Sequence, residues 1–316
     1  MRYSIAFLIV FLIVVTLIPR LREFAIKIDF VDKPTERKKH KEPIPLLGGV
    51  GMFIGFLAGY LIFIRPLEIK DLTVLFASLM ILSIGIVDDW YKTHGKEFPV
   101  APRLFVQIGA AILVFSSGIA FRGFTNPFVH RYIVFPVWLQ FILSVTWIFG
   151  VTTVINFSDG LDGLAGGITS ISASTLFVVA LAKGQSESAM MAILLVGASL
   201  AFLRYNKNPA LIFMGDSGAT FLGFVLGIIA LDGAFKQATI ISLLVPFLAL
   251  GVPIFDNIYV VVKRFIDGKP VYKADSSQVH YRLLSTGLSP KQVVTFLCLV
   301  SVCFSLVSII ILMLRI

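Results

Sequence analysis

Ten apolar blocks dominate the chain, at residues 5–18, 47–64, 72–87, 104–120, 132–154, 168–182, 189–203, 219–231, 239–262 and 292–314, with polar connections between them. A hydrocarbon core about 30 Å thick takes ~20 helical residues to cross, so the shorter blocks need neighbours to shield their ends. The pattern predicts an all-α polytopic membrane protein of about ten transmembrane helices, folded as a single integral membrane domain over residues 1–316. The first block runs into Pro19-Arg20-Leu21-Arg22 with no small-residue cleavage site, which reads as a retained anchor. One polar segment stands out: Asn156-Phe-Ser-Asp159-Gly-Leu-Asp162-Gly-Leu-Ala-Gly-Gly167 follows the fifth block directly. A carboxylate at the centre of a membrane helix costs about 3 kcal/mol on insertion scales, so acids crowded at a helix end are expected to face water and hold something.

Composition agrees with the pattern. With 57% hydrophobic and 14% charged residues and a mean hydropathy of +0.93, the chain is excluded from the water-soluble globules. Lysine and arginine are distributed unevenly: 19 of the 27 fall in the connections on one face of a ten-span arrangement. The positive-inside rule makes that face cytoplasmic and puts both termini outside, in a cell membrane. The excess positive charge suits a lipid surface or a polyanionic substrate, and no nucleic acid partner is called for. Cys298 and Cys303, five apart in the last block, match no metal or redox spacing and read as packing residues. Gly51, Gly55 and Gly59 recur every four residues in the second block, the spacing that lets membrane helices approach closely.

Nearly all residues with chemistry fall on the inner face. Asp88-Asp89 follow the third block, Asp216 lies in Phe213-Met-Gly-Asp216-Ser-Gly218 just before the eighth, and His280 lies in the last inner connection. An acidic doublet alone reads as a polar helix end, and Asp-Gly alone reads as a turn. Together on one face, each beside a membrane span, they read as a site. Carboxylates without a Cys or His quartet suit a hard, oxygen-seeking cation, Mg2+ with Mn2+ as its stand-in, and magnesium in turn suggests phosphate. The basic run Arg37-Lys38-Lys39-His40-Lys41 would serve either a polyanionic substrate or anionic headgroups, the latter worth about 1 kcal/mol per residue. Lys41, Arg103 and Arg282 are the candidate phosphate contacts.

In these segments the chain resembles the polyprenyl-phosphate N-acetylhexosamine-1-phosphate transferase superfamily. That superfamily includes phospho-MurNAc-pentapeptide translocase and the GlcNAc-1-phosphate transferases of the WecA and TagO type. The resemblance runs almost end to end and is carried by Asn-x-x-Asp-Gly-x-Asp-Gly from Asn156 and by Phe-Met-Gly-Asp-x-Gly from Phe213. Pro253-Ile-Phe-Asp256-Asn257, with Arg264, Gly268 and Ala274-Asp275, is similar to the GlcNAc-transferase branch. The resemblance implies transfer of a sugar 1-phosphate from a UDP-N-acetylhexosamine to a polyprenyl phosphate such as undecaprenyl phosphate, releasing UMP and starting a cell-envelope polysaccharide. It implies Asp216 and Asp89 as metal ligands, with Asp88, Asp89, Asp216 and His280 catalytic. It also implies Asn156, Asp159 and Asp162 as the nucleoside loop, with Asn206 and Phe213 completing it. One departure stands out: the branch has His-x-His-His where this chain has Gln278-Val279-His280-Tyr281.

A phosphate monoester has its second pKa near 6, so a polyprenyl phosphate is already a nucleophilic dianion at neutral pH. Direct attack is therefore expected over a covalent Asp88 intermediate. The alternatives are a transporter of a nucleotide-sugar or other anion, whose acids would sit near the bilayer midplane, and a MurNAc-pentapeptide-type transferase. A CDP-alcohol phosphotransferase is set aside, because Gly166-Gly167 stand where its signature needs Ala-Arg. Homodimer formation through an outer-facing span is open to a protein of this kind.

Overall fold

The computed structural model describes residues 1–34, 42–126, 131–234, 244–268 and 277–314. The chain order is α1 (Arg2–Lys27), β1 (Val31–Asp32), β2 (Ile44–Pro45), α2 (Gly48–Phe63), α3 (Ile69–Thr93), α4 (Val100–Ser116), β3 (Gly123–Asn126) and β4 (Arg131–Val134). There follow α5 (Val137–Phe157), α6 (Leu164–Ala182), α7 (Ser186–Asn206), α8 (Gly215–Ile229) ending in a π turn (Ala230–Ala234), α9 (Leu244–Ala249), α10 (Gly251–Ile266), α11 (Val279–Ser285) and α12 (Pro290–Met313). The strands make two small antiparallel hairpins, β1 with β2 and β3 with β4. The protein is an all-α polytopic membrane protein. Among the described residues, α1, α3, α5, α6, α7, α8 with its π turn, and α12 are long and apolar enough to cross a membrane, seven in place of the ten expected. Helices α2 and α4 are apolar but shorter.

Helix α8 is the hub. It packs on α3, α5 and α2, and every residue after Asp216 is buried, as expected of a helix that is apolar all round. Around it, α6 pairs with α7, and α1 lies across α2 and α7. The glycine stripe of α2 serves that packing, because a side chain at Gly51, Gly55 or Gly59 would strike Ile18, Val14 or Val10 of α1. Helices α1 and α12 leave most of their apolar surface on the outside of the bundle, where lipid would cover it. Cys298 is half-buried on α12 beside Gly167, and Cys303 is exposed; both are free thiols.

Of the boundaries that differ from the sequence reading, three have a local reason. The fifth block opens as strand β4, paired Gly123 to Val134 and Asn126 to Arg131, and its helix begins only after Pro136. A proline disfavours helical geometry in the residue before it, so the helix starts there and then runs on to include Asn156. The third helix continues through Asp88 and Asp89 to Thr93, so the acidic doublet is buried within its last two turns. The ninth block, read as one span, divides into α9 and α10. Pro253 lacks an N–H and its ring displaces the carbonyl of residue 249. The Ser172 hydroxyl of α6 donates to that carbonyl instead, at 2.6 Å, so the break leaves no orphan.

Candidate active site

The carboxylates at the end of α3 and the start of α8 meet. Arg103, in the first turn of α4, donates to Asp88 Oδ2 at 2.7 Å and to Asp216 Oδ2 at 3.4 Å. Lys92, four residues beyond Asp88 on the same helix, places its Nζ 2.6 Å from Asp216 Oδ2. Asp89 accepts from the backbone N–H of Asp216 at 2.7 Å and of Ser217 at 3.1 Å. Asp88 and Asp216 therefore share two side-chain cations, while Asp89 faces backbone N–H groups.

The close fit between the two helices depends on glycines. Gly215 has φ +71°, in the left-handed region, and a side chain on it would collide with the Asp89 carboxyl group. A side chain on Gly85 of α3 would collide with the Ser217 backbone. From the other side, the N–H groups of Gly48 and Gly49 at the start of α2 donate to the carbonyls of Phe213 and Met214, both at 3.0 Å. The N–H of Phe213 donates to Pro45 O at 2.8 Å.

The Asn156–Gly167 segment lies beside these acids, and its members divide into two kinds. Asp162 is a clamp: its Oδ2 accepts from Asn208 Nδ2 at 3.0 Å and from the N–H of Ala210 at 3.1 Å. Asn206 is the reciprocal clamp, accepting from the N–H of Gly163 and donating to the carbonyl of Ile212, both at 2.9 Å. These four bonds hold the loop after α5 against the loop after α7. Asn156 and Asp159, by contrast, make no side-chain hydrogen bond to another described residue and are only half-buried. Burial first, and then the carboxylates of Asp216 and Asp89, raise the Asp159 carboxyl well above the usual carboxylate range.

His280, on α11, closes the far side of this loop. Its ring sits so tightly on Gly160 that a side chain there would overlap Nε2, which is buried without a hydrogen-bond partner. Burial pushes its pKa down to about 4, so at neutral pH the imidazole is uncharged. Arg282 is directed elsewhere. It lies 3.7 Å from Asp256 Oδ1 and its guanidinium covers the Tyr259 ring at 4.0 Å, which ties α11 to α10 and keeps it out of the acid cluster. Asp256 also accepts from the N–H of Val279 at 2.8 Å. A narrow cleft between α5 and α10 is walled by Ser158, Asp256, Asn257 and Gln278. Lys41, with the basic run before it and Ala274-Asp275, lies outside the described residues.

The profile described as Glycosyl transferase family 4 matches residues 72–234, about half of the chain, and spans every acid and clamp from Asp88 to Asp216. The chain belongs to glycosyl transferase family 4. Over 309 residues this family 4 protein is 36% identical to a "Probable undecaprenyl-phosphate N-acetylglucosaminyl 1-phosphate transferase" of Bacillus subtilis (strain 168), covering 98% of this chain and 85% of that one. It is 25% identical over 295 residues to an "Undecaprenyl-phosphate alpha-N-acetylglucosaminyl 1-phosphate transferase" of Yersinia pestis, covering 92% and 79%. It is 29% identical over 300 residues to a "Phospho-N-acetylmuramoyl-pentapeptide-transferase" of Clostridium novyi (strain NT), covering 92% and 90%.

Within this family 4 protein, sequence reasoning missed three contributors. Lys92 carries a signal in hindsight: it stands three and four residues beyond the acidic doublet, the spacing that places side chains on one helix face. The side-chain amide of Asn208 and the N–H of Ala210 both hold Asp162, and the second carries no signal, because a backbone donor leaves no mark in sequence.

Among the described residues no group of three or more His, Cys, Asp or Glu side chains forms a ready-made metal cage. Magnesium does not need one. It is commonly bound by one or two carboxylates together with substrate phosphates and waters. Oxygens of Asp88 and Asp216 converge on the Arg103 guanidinium.

Proposed function

We propose that the chain transfers N-acetylhexosamine 1-phosphate, GlcNAc 1-phosphate foremost, from a UDP-linked donor to a polyprenyl phosphate at the cytoplasmic face of the cell membrane. The supporting observation is the convergence of Asp88 and Asp216 with Lys92 and Arg103, beside the uncommitted Asn156 and Asp159, at one end of a membrane bundle. Polyprenyl phosphate and the UDP-sugar follow from the names of the relatives, the resemblance in sequence, and the chemistry of that cluster.

In the reaction, an oxygen of the lipid phosphate dianion forms a bond to the sugar-bearing phosphorus. The bond from that phosphorus to the bridging oxygen breaks, and UMP departs with the electron pair. No proton has to be removed from the nucleophile near pH 7, since its second pKa is about 6. The barrier is electrostatic, because a dianion must approach an anionic diphosphate. Lys92 and Arg103 are the cations placed to neutralise that charge, turning from carboxylates to phosphates as the donor enters. Asp88 and Asp216 would hold Mg2+, or Mn2+ in its place, which when bound supplies further neutralisation of the diphosphate. Asn156 and Asp159 have free polar atoms for the nucleoside, and Phe213, anchored to Pro45 and Gly48, offers a ring for the uracil face. His280, neutral by burial, acts there as a hydrogen-bonding group.

The test presents purified protein with Mg2+, undecaprenyl phosphate and a panel of UDP-sugars that includes UDP-MurNAc-pentapeptide, and measures UMP. Release with UDP-GlcNAc is expected. Release with no donor would refute the transferase reading, and uptake of intact UDP-sugar into proteoliposomes without UMP would establish transport instead. Direct displacement predicts inversion at a chiral phosphorus; retention would require the covalent route.

A further inference from the structure

Asp89 differs from the two acids beside it in what it touches. Asp88 and Asp216 face Arg103 and Lys92, side-chain cations that can swing away when phosphates arrive. Asp89 faces backbone. Its Oδ1 holds the N–H of Asp216 at 2.7 Å and its Oδ2 holds the N–H of Ser217 at 3.1 Å. These donors cannot be released without unwinding the first turn of α8.

The first turn of any helix leaves about four N–H groups without an internal partner, and a Ser, Thr, Asp or Asn at the N-cap normally satisfies one or two. Helix α8 has Met214 at that position and no capping side chain of its own. A carboxylate from another helix fills the role, and its negative charge also complements the positive end of the α8 dipole. The backbone is shaped around this contact. Gly215 adopts a left-handed φ of +71° with no room for a side chain beside the Asp89 carboxyl, and Gly85, one turn back on α3, admits the Ser217 backbone. Asp89 itself is 1% exposed.

We propose that Asp89 is a positioning residue: it caps α8 in trans and so aims Asp216 at the reacting phosphates, and it does not ligate the cation. This rests on the transferase reading for the word "aims" but not for the cap. It reassigns Asp89, which the sequence resemblance places among the metal ligands. The doublet would then divide its labour, with Asp88 facing the charged cleft and Asp89 holding together the two helices that carry Asp88 and Asp216.

The experiment uses the full-length protein in detergent and compares Asp89→Asn, Asp89→Ala and Asp216→Asn. Without added metal, amide hydrogen exchange is followed across residues 213–220. Asp89→Ala should speed exchange there at least tenfold. Asp89→Asn, whose amide oxygen still accepts one N–H, should fall between, and Asp216→Asn should stay within threefold of the unaltered protein. In turnover, Asp89→Ala should lower kcat at least tenfold with partial recovery in Asp89→Asn, while the half-saturating Mg2+ of Asp89→Asn stays within threefold. Unchanged exchange in both Asp89 variants, or a tenfold rise in half-saturating Mg2+ for Asp89→Asn, would overturn the proposal. Should the unaltered protein release no UMP, the transferase reading falls, and the exchange measurement still decides the cap.

Discussion

Asn206 gives a sharp test of how the two substrate loops are held. Its amide accepts from the N–H of Gly163 and donates to the carbonyl of Ile212, both at 2.9 Å, and the residue is only 2% exposed. In Asn206→Ala both backbone groups lose their partner in a space that water scarcely reaches. An orphaned buried polar group costs about 1–3 kcal/mol, so the pair should cost roughly 2–6 kcal/mol. With an unfolding entropy of about 2.1 cal/mol/K per residue, a chain this long converts each kcal/mol into ~1.5 °C, which gives a fall in Tm of about 3–9 °C. Asn206→Asp separates the two bonds. It keeps the acceptor for Gly163 but turns a carboxylate oxygen toward the Ile212 carbonyl, so it should be no more stable than the alanine variant. The assay is thermal unfolding in detergent with and without UDP, alongside the KM for the donor. A clamp lowers Tm in the absence of nucleotide. A tenfold rise in KM with Tm within 1 °C of the unaltered protein would refute the clamp and make Asn206 a nucleoside contact alone.

Three further outcomes can be measured directly. Arg103→Ala removes the cation that joins Asp88 to Asp216, and kcat should fall about 100-fold, the usual size for loss of one charge-stabilising donor; an effect below threefold in UMP release would exclude it from the reacting charge. His280 has its folded pKa lowered to about 4 against an ordinary value near 6.5, so between those values the unfolded chain holds more protons and stability should fall as pH drops through that window, by up to ~3 kcal/mol. The contribution is fully present above pH 6.5, and a His280→Gln variant should flatten the Tm profile from pH 6.5 to 4; an unchanged slope would contradict the burial argument. Gly160→Ala puts a methyl group where the His280 ring lies, so turnover should drop at least tenfold while Asp216-dependent Mg2+ activation remains; unaltered kcat and KM would show that the ring can move at no cost.

The membrane class, the helical content and the identity of nearly every acid in the cluster were legible in the chain, and the physical reason is the solvent. Lipid admits only segments whose backbone bonds to itself, so helices announce themselves as apolar blocks. A carboxylate among such blocks is costly enough to stand out without any structure. Asp88, Asp89, Asp159, Asp162 and Asp216 were all visible on that ground, and Arg103, expected as a phosphate contact, is found bonded to Asp88 and Asp216. Boundaries were less legible. Ile133 and Val134 are as much at home in β4 as in a helix, and the divide between α9 and α10 turned on Pro253 together with the Ser172 hydroxyl of α6.

What the sequence by itself determined is therefore the solvent, the family and the cast of polar residues, because hydropathy and motif spacing are local properties. What only the tertiary structure decided is the partner of each polar atom. Asp88 and Asp89 are adjacent and chemically identical, yet they point from one helix to different neighbours, one to an arginine and the other to two backbone N–H groups of α8. Asp159 and Asp162 differ in the same way, one open and one committed to Asn208 and Ala210. Arg282, expected as a phosphate contact, lies among the described residues beside Asp256 of α10. Donors such as the N–H of Ser217 belong to every residue alike, so only folding, by bringing one helix end against another, gives a particular carboxylate its work.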